Sequence, residues 1–329
     1  MKRILMCALV VVVAGLGTTG CKSSPPEAKP PVGSASLTPP PAEPARASQG
    51  SAAASNDPWT APKTKKDPLA HPLFWSIEKD GRTSYALGTM HMGVDAESRL
   101  PQIVFDKLDA SPTFAMETDI SDPALANIAS CNNCSLRRDL SKKQYETLEK
   151  ALSPAMVAQF DKLKPMIATV ALTVRMYTPT APMDGVLFGR ATNQNKRIVY
   201  LEPASVQVAA LTKWADLRAL KATLDDLEDS DRIATELFEA YVSGDEAKMI
   251  EIDKQVRAEA LEHGYTPAEY EAQMNDLLFK RNASWIAPIE KLHADGGGFI
   301  AVGAMHLVGP KNVLELLSKK GYKITRITP

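Results

Sequence analysis

Hydrophobic positions first fall into a regular pattern at Leu73. The stretch LFWSIEKDGRTSYALGT is two strand-like runs on either side of Asp80-Gly81, a turn pair that predicts a hairpin. A helix is predicted near Leu100–Leu108 and a short strand in TFAMETD, Thr113–Asp119. From about Lys142 to Ala294 the apolar spacing is helical, with KRIVYLE, Lys196–Glu202, as the one clear strand. The chain returns to strand in GGFIAVG, continues as a helix through Val313–Ser318 and ends in YKITRIT. Strands at both ends with helices between them predict one α/β domain over residues 69–329: a mixed sheet flanked by helices, its middle a mostly helical insertion or cap.

Residues 22–68 have a different character, with 11 of the chain's 24 prolines and almost no large apolar side chains. Such a segment buries too little surface to offset the entropy of ordering it, and reads as a tether. Before it, Lys2 and Arg3 precede an apolar run, Ile4–Val13, and small residues lead to Cys21. That is the layout of a bacterial export signal, with an apolar stretch too short for a membrane-spanning helix. The approach to Cys21 resembles a lipoprotein signal, which implies a signal peptide over 1–21, acylation of Cys21 and membrane contact through that lipid. Lys22 stands where an aspartate would imply inner-membrane retention. The resemblance therefore places the chain in the cell envelope, at the outer membrane.

A net charge of −1 gives no electrostatic reason to expect nucleic acid as a partner. In an oxidising compartment the CNNC cysteines, Cys131 and Cys134, are expected to form a local disulfide. A redox pair would want a preceding buried strand and a helix start, and a metal pair a second Cys or His pair nearby.

One pattern occurs twice. YALGTMHMG at Tyr85–Gly93 and FIAVGAMHLVG at Phe299–Gly309 each place Gly-x-Met-His after an apolar run, with His91 and His306 215 positions apart. Ligands of open α/β sheets bind outside the carboxyl ends of the strands, where Glu117 and Glu202 also stand. If the four strands are parallel neighbours, two imidazoles and two carboxylates converge on one rim, the ligand types of a hydrolytic metal site. Gly88 and Gly303 are expected to let the chain turn sharply into each His, and Met90 and Met305 to pack.

The blocks LGTMHMG, FAMETD, MDGVLFGRATNQNKRIVYLE, RNASWIAPIE and FIAVGAMHLVGPKNVLELLSKKGYKI, in that order, resemble the TraB/GumN family, which includes the Tiki proteins. The resemblance implies an α/β fold with a site drawn from both halves and a divalent metal, manganese or cobalt. It implies that His91 and His306 are the paired site histidines, that Glu117 is the acidic residue that follows the first, and that Asp184, Glu202, Arg281 and Asn282 belong to further family blocks, Glu117, Glu202, Arg281 and Asn282 being the catalytic candidates. Arg281 could pair with Glu117 or Glu202, clamp a substrate carboxylate or carbonyl, or form a surface ion pair. For Asp184, capping a helix over Gly185–Thr192 is favoured over catalysis. His71, His263 and His293 lie outside the blocks, and surface positions are expected for them.

The leading expectation is an envelope-anchored, metal-dependent hydrolase acting on a peptide or protein substrate, with the metal on His91 and His306, Glu117 completing its shell, and Glu202 as general base or exchanging roles with Glu117. A second is a non-catalytic protein that binds or sequesters peptides in the same cleft. A third is a metal-free hydrolase with His91 as base. No helical His-Glu-x-x-His motif is present to fix a zinc-peptidase mechanism.

Overall fold

The structure is a computed structural model that describes residues 67–126 and 129–329. The leader, Cys21 and the proline-rich stretch up to residue 66 lie outside those residues. Asp80 and Gly81 take φ of 50° and 72°, as a two-residue hairpin turn with the twist of its strands requires. Strand β1 (Phe74–Lys79) thereby folds back on β2 (Arg82–Thr89), with Lys79 opposite Arg82.

Four more strands complete the sheet: β3 (Thr113–Met116), β4 (Arg197–Tyr200), β5 (Phe299–Gly303) and β6 (Lys323–Arg326). The spatial order is β4-β3-β5-β2-β1-β6. Strands β4, β3, β5 and β2 are mutually parallel, while β1 runs antiparallel to both β2 and β6. This is the mixed, helix-flanked α/β sheet expected from the sequence. Strands β3 and β4 stop short of the predicted ends, which leaves Glu117 and Glu202 on the rim beyond the last paired residues, Met116 and Tyr200. Phe114 lies opposite Phe299 in register, and the rings of Phe114 and Phe74 stand 6.2 and 5.8 Å from that of Phe299. The three aromatics, on β3, β5 and β1, form one apolar layer that reaches across β2.

Helix α1 (Gln102–Ala110) joins β2 to β3, and α2 (Met183–Asn193) leads into β4. Helix α3 (Ala204–Trp214) leaves the end of β4. Beyond it, α4 (Leu227–Ser243), α5 (Glu246–Glu262) and α6 (Pro267–Met274) belong to the helical insertion. A π turn, Asn275–Phe279, then continues into α7 (Lys280–Ala294), which returns the chain to β5. Short π segments of this kind redirect the helix face that follows them. The insertion has apolar clusters of its own, one around Met166, Leu211, Tyr265 and Leu277, another around Leu148, Leu172 and Leu220. Met305 packs against both the first of these and the sheet core, so the insertion meets the sheet beside His306. After β5, a 3-10 turn (Ala304–His306) and α8 (Val313–Lys319) precede β6. Among the described residues no helix is long and apolar enough to cross a membrane. Cys131 and Cys134 are joined as a disulfide with Cα atoms 5.5 Å apart.

The two motif glycines do not make sharp turns. Gly303 is extended, with φ −51° and ψ 138°, and Gly88 lies inside β2 without a left-handed φ. Gly88 is needed for space instead. A Cβ there would stand 3.1 Å from the Ala304 Cα and 3.1 Å from the Leu73 Cβ, because β2 packs directly on the turn that carries His306. Gly88→Ala should therefore cost about 1–3 kcal/mol through overpacking, read as a lower urea midpoint at unchanged slope. A neutral substitution would show that this contact is not tight.

Candidate functional site

Because β4, β3, β5 and β2 are parallel neighbours, their carboxyl ends deliver Glu202, Glu117, the His306 turn and His91 to one rim in that order. All four side chains are buried. What joins Glu202, Glu117 and His306 is Arg281, one residue into α7 and only 3% exposed. Its Nη2 donates to Glu117 Oε2 at 2.8 Å and to Glu202 Oε1 at 2.6 Å, and its Nε donates to Glu202 at 2.9 and 3.1 Å. Nη1 donates to the Leu277 carbonyl at 2.8 Å and approaches His306 Nε2 at 3.3 Å. Pairing with both glutamates is thus the arrangement found, in place of a surface ion pair or a substrate clamp.

Glu117 accepts three further or shared hydrogen bonds, from the Gly303 backbone N–H at 2.8 Å, from Gln207 at 3.0 Å and from Arg281. Burial alone would raise its pKa, but the neighbouring His306, Arg281 and His91, with the Gly303 N–H, hold it below the usual carboxylate range, and at ordinary pH the standing cation beside it is Arg281. Glu202 shifts the other way. Burial lifts it above its ordinary value against the pull of Arg281, and the negative Glu117 adds to the lift. Trp285, one turn beyond Arg281, donates from Nε1 to Glu202 at 3.1 Å and sets its ring 4.3 Å from that of His306, tilted by 39°.

The two histidines are held from behind. His91 Nδ1 lies 2.5 Å from Asp184 Oδ2, and Asp184 Oδ1 accepts from the Thr89 hydroxyl at 2.7 Å. Asp184 does not cap a helix. Helix α2 begins one residue earlier, after Pro182, so Asp184 sits buried in its first turn facing His91. Burial pushes His91 down, but the Asp184 carboxylate overrides it and leaves the imidazole above its ordinary value. Among the described residues, His91 Nε2 is buried with no hydrogen-bond partner. His306 Nδ1 lies 2.6 Å from Asn282 Oδ1, and its Nε2 is 3.8 Å from Glu117 Oε1. Burial pushes His306 down to about 3, so it is neutral at ordinary pH.

As donors for a divalent ion, Nε2 of His91, Nε2 of His306 and a Glu117 oxygen are the right types. The orphaned His91 Nε2 and the acceptors behind both rings match the outer shell of a metal-held imidazole. Arg281 Nη1 stands 3.3 Å from His306 Nε2. Among the described residues no group of three or more His, Cys, Asp or Glu side chains is arranged to hold an ion.

The profile of the TraB/PrgY/gumN family matches residues 73–326. The chain belongs to that family. It is also similar to the proteins described as "Uncharacterized protein YbaP" of Shigella flexneri and of Escherichia coli (strain K12). Each is 25% identical over 249 residues, covering 72% of this chain and 88% of the relative. No solved structure matches the chain.

Every residue of this rim lies within the TraB/PrgY/gumN match. Three of its members were not singled out in the sequence: Trp285, Gln207 and Thr89. The signal for Trp285 is its i+4 spacing from Arg281, which puts both on one helix face. His293, expected at the surface, is instead buried, bonded to Ser84 Oγ at 2.9 Å and facing the Lys79 carbonyl at 3.1 Å. His71 is exposed and His263 half-buried.

The depressed His306 pKa has a stability signature. The unfolded chain protonates this imidazole below about 6.5 and the folded chain only near 3, so stability is lost as pH falls through that window, by up to about 1.4 kcal/mol per pH unit. His306→Gln, which cannot titrate, should show a flatter acid limb than the wild type in metal-free urea melts across that range. Parallel limbs would mean that His306 is protonated equally in both states.

Proposed function

We propose that this chain is an envelope-anchored, metal-dependent hydrolase that acts on peptide bonds, with Cys21 as its lipid anchor. The observation that carries the proposal is the matched fixing of the two imidazoles. Each Nδ1 faces an oxygen behind it, Asp184 for His91 and Asn282 for His306, which puts Nε2 of both rings on the opposite edge, without a partner among the described residues in His91 and 3.3 Å from Arg281 Nη1 in His306. A divalent ion, manganese or cobalt by family resemblance, would be held by those two nitrogens and Glu117, and supplies a polarised carbonyl and an acidic water when bound.

The chain's own groups divide the remaining work. Glu117 is kept ionised and Glu202 lifted toward neutrality, and a pair of carboxyls pushed apart in this way separates the charge-holding role from the proton-carrying one. Glu202 is accordingly the proton carrier. Asp184 and Asn282 position the rings. The observation favouring the second reading, a protein that binds peptides without cutting them, is that Arg281 closes around both carboxylates and the His306 nitrogen.

Metal content by mass spectrometry and hydrolysis of a mixed peptide library by the purified full chain test this reading. The wild type should carry one divalent ion and cleave. His91→Ala and His306→Ala should each lose both properties, with the double variant no worse than either single one, and Asp184→Asn should weaken metal affinity about 10–100-fold. Fatty-acid labelling that disappears in Cys21→Ser checks the anchor. Cleavage without metal would instead favour His91 as a simple base, and peptide retained uncut would favour the binding protein.

A further inference from the structure

The loop after His306 contains Lys311, whose φ is +55°. A non-glycine residue in the left-handed region is uncommon, and lysine has no side-chain oxygen to favour it as Asn and Asp do. The conformation is held on two sides. The Lys311 N–H donates to Glu315 Oε2 at 2.7 Å, and its carbonyl accepts from Asn282 Nδ2 at 3.0 Å.

That second bond decides the direction of the Asn282 amide. A backbone carbonyl only accepts, so the amide edge facing Lys311 must be its NH2, and the opposite edge, 2.6 Å from His306 Nδ1, must be oxygen. An oxygen accepts from an N–H, so His306 carries its proton on Nδ1 and shows a bare lone pair at Nε2. The other side of the ring is consistent with this. Arg281 Nη1, 3.3 Å from Nε2, is donor only, and Glu117 Oε1 stands too far away, at 3.8 Å, to accept a proton from Nε2.

We propose that Lys311 is a positioning residue: its left-handed backbone aims a carbonyl that locks the Asn282 amide, and through it the His306 tautomer that turns an unprotonated Nε2 toward Glu117. The relay runs from an exposed loop residue, through one amide that makes both of its bonds in a buried setting, to the ring. The inference rests on the reading of His306 as a site residue, since only a ring with a task at Nε2 needs a single tautomer. It also assigns Asn282 a part that touches neither substrate nor metal. Lysine at this position acts through its main chain. Its ammonium lies 4.7 Å over the Phe279 ring, away from the relay.

Nitrogen-15 labelling of histidine in metal-free full-length protein reads the tautomer directly, and His306→Gln identifies the resonance among the chain's five histidines. The wild type should show the proton on Nδ1 alone. Lys311→Gly, which adopts positive φ freely, should keep that spectrum. Lys311→Val, whose β-branch opposes positive φ, and Asn282→Leu should each give a mixture of the two tautomers while the melt stays cooperative. A wild-type ring protonated on Nε2 would overturn the proposal. So would Lys311→Val and Asn282→Leu spectra unchanged from wild type, because Arg281 would then be setting the tautomer alone. A wild-type ring protonated on Nδ1 in a chain that neither binds metal nor cleaves peptides leaves this relay standing and removes only the hydrolase reading.

Discussion

One buried guanidinium holds this rim together. Arg281 reaches Glu117 beyond β3, Glu202 beyond β4 and the His306 turn beyond β5 from a single position on α7. A lone cation between two carboxylates leaves the group one charge short of neutral, so the carboxylates cannot both sit in a fully compensated setting. Glu117 takes the Gly303 and Gln207 donors and stays ionised, while Glu202 moves up. Buried ion pairs of this kind add little net stability over apolar packing, but removing one partner leaves an uncompensated charge at a cost of about 3–5 kcal/mol. The polar rim is therefore a cost carried by the apolar sheet beneath it.

The repeated Gly-x-Met-His element acquires different chemistry at its two ends because different groups stand behind the rings. A carboxylate behind His91 raises its affinity for a proton, whereas a neutral amide behind His306 leaves burial to dominate and the ring stays neutral. Sequence identity of the motif thus fixes the placement of the nitrogen, and the second residue in contact fixes its charge. The distinction matters for any metal, since a proton and an ion compete for the same Nε2.

Much of this was legible in the sequence. An apolar run ending in His or Glu announces a strand end whatever its partners, and the parallel order then follows from helical connections between strands. His91, Glu117, Glu202 and His306 were found that way. What the sequence could not show was the identity of neighbours. Asp184 looked like a cap because Asp before a helix often is one, yet helix α2 starts earlier and turns that side chain inward. Gly88 looked like a hinge, but its role depends on how closely Ala304 approaches. Trp285 and Gln207 reach the site only through the phase of α7 after the π turn and of α3 after β4, and His293 is buried by contacts to Ser84 and Lys79 that lie more than 200 residues away in the chain. Those are tertiary facts, and only Trp285 leaves a local trace, its i+4 spacing from Arg281.

A double-mutant cycle on stability tests the buried triad most directly. Arg281→Met should destabilise the chain by about 3–5 kcal/mol, because two carboxylates lose their shared cation. Adding Glu202→Gln to that variant should restore part of the loss, giving a coupling of about 1–3 kcal/mol between the two positions in urea unfolding. If the two substitutions instead add within about 0.5 kcal/mol, Arg281 and Glu202 do not share a buried charge and the rim is not built around it.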